Sequence, residues 1–382
     1  MSYRVPVRIG DTTLPMVRLM LRASGLPRSA WASLLTDKAH GPAVDFDSPD
    51  ARFDLTDLMR VGEALTRVSP AGEELGLTMG RISQDTDLGL PAQIARTAPN
   101  LRQALAGLMR YNTLMTRCYR GAPSLHLGTA PALRLYSIAP YNRYNRFVVD
   151  SALAIWKRLI EQLTGRADAL LAVDLEYEQC DYLEAHARHF GVPVHTGQLY
   201  NQLLLNPAAL DWPVTTYEPQ LHAQLCRLGD QLLKAQAVGE TLTGRLQQWL
   251  GPRLQGQTPT LDDAAAAMGM AAWTLRRRLM LENSSYQTLL DDLRRDLATG
   301  HIRETTLSFG EVAFMLGFSS PGAFQRAFKR WTGETPGEYR RRALEQRRRQ
   351  GGMPGAHQGV NQSSVASAQR SSLQASGASI SM

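Results

Sequence analysis

Three consecutive arginines, Arg276-Arg277-Arg278, follow closely on Trp273, and a second cluster of Gln325, Arg326, Lys329 and Arg330 lies further along the chain. These side-chain types suit contacts to nucleic acid. A guanidinium donates two parallel hydrogen bonds to the O6 and N7 edge of guanine, and a glutamine amide pairs in the same bidentate way with adenine. Trp273 can pack on a thymine methyl or a sugar edge. Arg278, Lys329 and Arg330 suit phosphate oxygens, which supply affinity without sequence information. One such run alone is better explained as a solvated helix face. Its position inside a repeat argues against that.

The repeat aligns Leu261 to Leu279 with Phe309 to Phe328. Ala265 matches Ala313, Met268 matches Leu316, and Gly269 matches Gly317. Leu275 and Leu279 match Phe324 and Phe328, with one extra residue in the second turn. Each copy fits a helix-turn-helix. A small residue in the first helix lets the second approach, and glycine takes the positive φ that ends the first helix. Two large apolar residues at i and i+4 then turn inward. The opposite face carries Trp273, Arg276 and Arg277 in one copy, Gln325 and Arg326 in the other. Between the copies, apolar positions at 286, 289, 290, 293 and 297 predict a linking helix over 286–299, roughly 21 Å long at 1.5 Å per residue. Such a helix could hold two reading helices, at about 271–281 and 320–330, on major-groove segments ~34 Å apart.

The elements upstream are of a different kind. Residues 101–111 and 147–163 carry the 3.6-residue apolar period of amphipathic helices. Residues 124–128 and 132–138 alternate apolar with polar, as half-buried strands do, and 170–177 reads as a third strand. Residues 217–255 read as helix, broken near Gly239 and at Gly251-Pro252. The fold class expected is an α+β N-terminal effector domain followed by an all-α domain with two helix-turn-helix units. The boundaries are an irregular start over 1–14, a regulatory domain over 15–210, a helical linker over 211–240, a DNA-binding domain over 241–341, and a disordered tail over 342–382. The tail is rich in Gly, Ser, Gln and Ala. Its Arg347-Arg348-Arg349 run could add non-specific attraction to DNA.

Composition narrows the alternatives. The 382 residues carry a net charge of +7, which favours an anionic partner. No apolar run approaches the ~18–20 residues needed to span a bilayer, and the start lacks the apolar stretch of a signal peptide. A cytoplasmic protein, nucleoid-associated when bound, is expected. Cys118, Cys180 and Cys226 form no CxxC pair, so they read as free thiols. Two rivals arise. His186, His189 and His195, with Glu184 nearby, could suggest a metal-dependent enzyme. They read better as packing or surface histidines, and no phosphate-binding, dinucleotide or nucleophile-elbow motif accompanies them. The Tyr141–Arg146 run mixes aromatics with bases and could stack on single-stranded RNA. It reads better as a loop or pocket rim.

The segment Leu307–Arg340 contains Ser308-Phe-Gly-Glu-Val-Ala-Phe-Met-Leu-Gly-Phe318, Ala323-Phe-Gln-Arg-Ala-Phe-Lys-Arg-Trp-Thr-Gly333 and Thr335-Pro-Gly-Glu-Tyr-Arg340. It resembles the AraC/XylS family of transcription regulators. A looser resemblance over about 15–210 points to an arabinose-binding-like effector domain of the ornithine-utilisation-regulator type. It rests on Leu75–Gly80, Asp87–Leu90, Leu101–Leu105 with Arg110-Tyr111, and Phe190–Val194. The resemblance implies double-stranded promoter DNA as partner, contact with RNA polymerase, a small-molecule effector, a possible homodimer, and activation of transcription. The family's base-contacting positions map onto Trp273, Arg276 and Arg277, and onto Gln325 and Arg326, with Pro321 and Gly322 at the second helix start. Many relatives carry serine and arginine where this chain has Ala271 and Trp273. The DNA-contacting set is therefore Trp273, Arg276, Arg277, Arg278, Gln325, Arg326, Lys329 and Arg330. No catalytic residue, metal, cofactor or effector-pocket residue is assigned.

Overall fold

The computed structural model describes residues 10–35, 51–118, 121–137, 146–177, 182–239, 241–254, 258–304 and 307–350. Cys180, Tyr141–Asn145 and residues 351–382 lie outside them. Two compact units part between Gly239 and Glu240. The first comprises residues 8–136 and 141–239, and the second is built from residue 240 onward.

The N-terminal unit is α+β, as the mixed periodicities predict. Strands β1 (Gly10–Thr13), β2 (Arg52–Asp54) and β3 (Thr116–Cys118) form a sheet of order β2-β1-β3, both pairings antiparallel. Residues 1–14 are expected to be irregular, yet Gly10–Thr13 is the central strand. Asp11 accounts for this: its carboxylate is ion-paired to Arg52 on one neighbour and to Arg117 on the other. A second sheet contains β4 (Gly121–His126), β5 (Ala132–Ser137), β6 (Leu170–Asp174), β7 (Val194–His195) and β8 (Asn201–Leu205), in the order β4-β5-β8-β6-β7. The third predicted strand is shorter than expected and stops at Asp174, whose Oδ1 and Oδ2 meet His195 and Gln202.

Helices Leu101–Arg110 and Arg146–Thr164 fall close to their predicted spans. Asn100 caps the former by accepting from the Gln103 amide at 3.0 Å. The Arg146–Thr164 helix lies against helix Leu75–Ile82. Gly76 and Gly80 permit that approach: a Cβ at Gly80 would stand 2.3 Å from the Ala154 Cβ, and one at Gly76 would stand 2.6 Å from the Phe147 carbonyl oxygen. The expected linker over 211–240 is corrected. Its helix, Pro219–Gly239, packs onto the N-terminal unit, where Tyr111 donates to Asp230 at 2.8 Å and Arg110 pairs with the same carboxylate. Small Gly229 lets the Tyr111 ring in.

The C-terminal unit is all helical: Leu242–Leu250, Leu261–Ala267, Ala272–Leu281, Tyr286–Glu304, Phe309–Met315, Pro321–Thr332 and Pro336–Gln350. Residues 342–350, expected in the disordered tail, continue the last helix. Ala343 is buried there, and Arg342 pairs with Glu334. The linking helix runs to Glu304 rather than 299. His301 and Ile302 are buried beyond Gly300, so packing carries the helix through the glycine.

Candidate nucleic-acid interface

Each helix-turn-helix begins with a reciprocal cap. The Thr260 hydroxyl accepts from the Asp263 amide at 3.1 Å while the Asp263 carboxylate accepts from the Thr260 amide at 2.8 Å. The Thr260 hydroxyl also donates to the Asp263 carboxylate at 2.7 Å, and this bond, with that from the Thr260 amide, holds the Asp263 carboxyl below its usual range. Ser308 and Glu311 repeat the arrangement at 3.2 and 2.8 Å. Both first helices end alike. Gly269 and Gly317 have φ of +68°. The Gly269 and Met270 amides donate to Ala266 and Ala265, each at 3.0 Å. The Gly317 and Phe318 amides donate to Phe314 and Ala313, each at 2.9 Å. Two bonds of this pattern close the last helical turn in a Schellman motif. Ala265 and Ala313 are buried, consistent with close approach of the second helix.

The reading helices present the predicted residues. On Ala272–Leu281, Leu275 and Leu279 are fully buried, while Trp273 is 68 % exposed and Arg276, Arg277 and Arg278 are all exposed. At about 100° per residue, Trp273, Arg276 and Arg277 share one arc, and Arg278 lies at its flank. Met280 (63 % exposed) and Leu281 (77 %) extend the same exposed face. Sequence reasoning passed over both. Helical periodicity puts both on the side of Trp273, away from Leu275 and Leu279, so the spacing carried the signal and their apolar character masked it.

On Pro321–Thr332, Phe324, Ala327 and Phe328 are buried. Gln325, Arg326 and Lys329 share the outer face with Gly322, where no side chain rises above the backbone. Arg330 sits at the edge, 3.6 Å from Asp291 on the linking helix. The helix is capped by Ser320, accepting from the Ala323 amide at 3.2 Å. It stops at Gly333, where φ is +84°.

The side chain that holds the second unit in place was missed from sequence. Arg294, only 8 % exposed, reaches from the linking helix to the end of helix Phe309–Met315. Its Nε donates to the Leu316 carbonyl at 2.9 Å and its Nη2 to the Gly317 carbonyl at 2.8 Å. The Thr258 hydroxyl accepts a further bond. The guanidinium lies 4.5 Å from the Phe318 ring centroid. A cation at a helix C-terminus meets the negative end of the dipole and satisfies carbonyls that lack intrahelical partners. Burial lowers the Arg294 pKa, opposed by Asp291 and Tyr286. The available signal was an arginine inside the apolar stripe, between Leu293 and Leu297. Arg340 does the same at the other end, donating to the Ile302 carbonyl at 3.2 Å and to Leu307 at 2.6 Å.

Two histidines of the metal alternative meet separate carboxylates. His186 is buried against Asp150 at 2.8 Å, and His195 faces Asp174 at 3.0 Å. Among the described residues no group of three His, Cys, Asp or Glu side chains could hold a metal ion. Nor is any described helix long and apolar enough to cross a membrane.

Two duplicated helix-turn-helices behind an α+β unit define a DNA-binding transcription regulator. Residues 35–214 match the arabinose-binding N-terminal domain of AraC transcription regulators, and residues 264–342 match a helix-turn-helix domain. The chain belongs to the AraC-type transcription regulators. It is 28 % identical over 343 residues to the ornithine utilization regulator of Pseudomonas aeruginosa, covering 88 % of this chain and 96 % of that protein. It is also 28 % identical over 327 residues to an uncharacterized HTH-type transcriptional regulator of Mycobacterium tuberculosis, covering 81 % and 91 %. The solved structure of the transcriptional regulator CdpR from Pseudomonas aeruginosa is 17 % identical and spans 86 % of this chain and 96 % of that one, with a TM-score of 0.39.

Proposed function

We propose that the chain is an effector-responsive activator whose two reading helices enter successive major grooves of promoter DNA. In this reading Arg276, Arg277, Gln325 and Arg326 contact bases, Trp273 packs on a thymine methyl or sugar edge, and Arg278, Lys329 and Arg330 grip phosphates. The observation that carries it is the pairing of identical glycine turns with outward-facing basic helices. The sensing unit ends at Gly239 and the DNA-binding unit opens at Thr241, which caps the next helix through the Gly244 amide. A cytoplasmic regulator that contacts RNA polymerase beside the promoter fits this arrangement.

A homodimer is part of the proposal. On helix Pro219–Gly239, Leu221, Leu228 and Leu232 are each more than 40 % exposed. With Leu225 they follow the 4-3-4 spacing of a coiled-coil seam, which suits the same helix of a second copy.

Selection from a random DNA library at stated salt tests the reading. Two short blocks about one helical turn apart are expected. A single block, or binding that depends only on salt, would remove the double-headed mode.

A further inference from the structure

Helices Leu75–Ile82, Arg146–Thr164 and Leu183–Phe190 of the N-terminal unit border a solvent-open cavity of about 260 Å³. Four cations line it: Arg81, Lys157, Arg158 and Arg188, against one lining carboxylate, Glu161. Nearby carboxylates compensate only in part. Glu161 is ion-paired to Lys157. Glu74 is shared between Arg81 at 3.4 Å and Arg188 at 3.6 Å. Glu184, 4.0 Å from Arg188, is 95 % exposed. Arg158 has no ion-pair partner among the described residues.

The sixth polar side chain is His189. Its ring stands edge-on to Phe190, and its Nε2 is buried without a hydrogen-bond partner. Burial, followed by the charges of Lys157, Arg81 and His186, pushes the imidazole down to about 4, with Asp150 opposing. His189 lines the cavity with this unpaired atom buried in its wall, and a buried polar atom without a partner calls for an explanation such as an absent ligand. Guanidinium groups pair bidentately with carboxylate or phosphate oxygens, and three separate helices supply the cations here.

We propose that this cavity binds a small oxyanion with at least two negative charges, a polycarboxylate or a phosphate, and that it is the effector site of the N-terminal unit. The second half of that statement rests on the effector-responsive reading given above. The anion would bridge Arg81, on the helix locked to its neighbour through Gly76 and Gly80, to Arg158 and Arg188. It would thereby tie three helices together, which is how a ligand shifts a conformational equilibrium.

Calorimetry of the full chain with citrate and with inorganic phosphate tests the site, using sodium chloride at matched ionic strength as reference. Saturable binding of one or both anions is expected, weakened at least tenfold by Arg158→Glu and by Arg188→Glu. Both side chains are exposed, so the fold should tolerate the changes, and an unchanged melting profile checks that. Citrate binding without phosphate binding assigns the site to carboxylates, and the reverse to phosphates. Heat that chloride reproduces, or binding that both reversals leave intact, overturns the site. Operator affinity measured with and without the bound anion separates the two claims. An anion that binds without changing operator affinity keeps the site and removes its effector role. If neither anion binds while a small-molecule cell fraction changes operator affinity, the effector reading survives and this cavity is the wrong place.

Discussion

The first reading helix starts at Ala271, whose side chain caps nothing, and ends in exposed Met280 and Leu281. The second starts at Ser320-Pro321, with a side-chain cap and a proline preset for the first turn, and stops cleanly at Gly333. Behind the first stand two leucines. Behind the second, Phe324 lies 5.5 Å from Phe318 and 5.7 Å from Phe328, Phe328 meets Tyr339 at 5.5 Å, and Arg294 bolts the preceding turn to the linking helix. The glycine turns are nevertheless superimposable in their bonding. The duplicated turn fixes the angle between helices, while the surroundings decide how firmly each reading helix is held. The second unit is the anchored one. The first carries the larger exposed apolar and guanidinium surface on a less supported helix.

The largest expected effect breaks the anchored side. Phe328→Ala should cost about 3–5 kcal/mol and Leu279→Ala about 2–5, with the aromatic change the larger of the two. Denaturant unfolding of the C-terminal unit measures both, and equal losses would dissolve the asymmetry. Next comes Arg294→Ala, which leaves the buried Leu316 carbonyl without its donor, while the Gly317 carbonyl keeps only the Thr258 hydroxyl at 3.0 Å. A loss of about 2–4 kcal/mol is expected by the same measurement. A loss below the cost of one exposed hydrogen bond would show that Arg294 does not bolt the unit.

Operator binding probes the outer faces. Arg326→Ala and Arg277→Ala should each cost about 1–3 kcal/mol and relax one position of the site. A uniform loss over all sequences would reassign the residue concerned to phosphate. Smaller still, Ser320→Ala should cost about 1 kcal/mol, while Ala271→Ser should gain a similar amount by supplying the missing cap. If Ala271→Ser brings no gain in thermal stability, the first helix is not limited by its start.

The last test concerns acid. Burial lifts the Glu282 carboxyl, but bonds from Thr243 and Leu242 outweigh it and hold the group below its ordinary 4.5. A carboxyl depressed in the folded state gives its full stabilisation above that ordinary value. The contribution is lost as pH falls through the folded value. Glu282→Gln should therefore flatten the acid limb of the stability curve, and an unchanged limb would remove Glu282 from it.

Much of this was legible in the residues because it is local. The repeat, the glycine turns, the i and i+4 anchors and the exposed basic faces follow from backbone sterics and helical periodicity, which act over a few residues. The caps are local as well, since Thr260 with Asp263 and Ser308 with Glu311 lie three residues apart. The tertiary structure decided what depends on distant partners. Gly10–Thr13 became a central strand because Asp11 meets arginines from two other strands, and Pro219–Gly239 joined the N-terminal unit because Tyr111 and Arg110 reach Asp230. Arg294 became a buried bolt, and Arg81, Arg158, Arg188 and His189 came to line one cavity. Charge and burial act through space, and the order of residues along the chain does not record which side chains will share a dielectric environment.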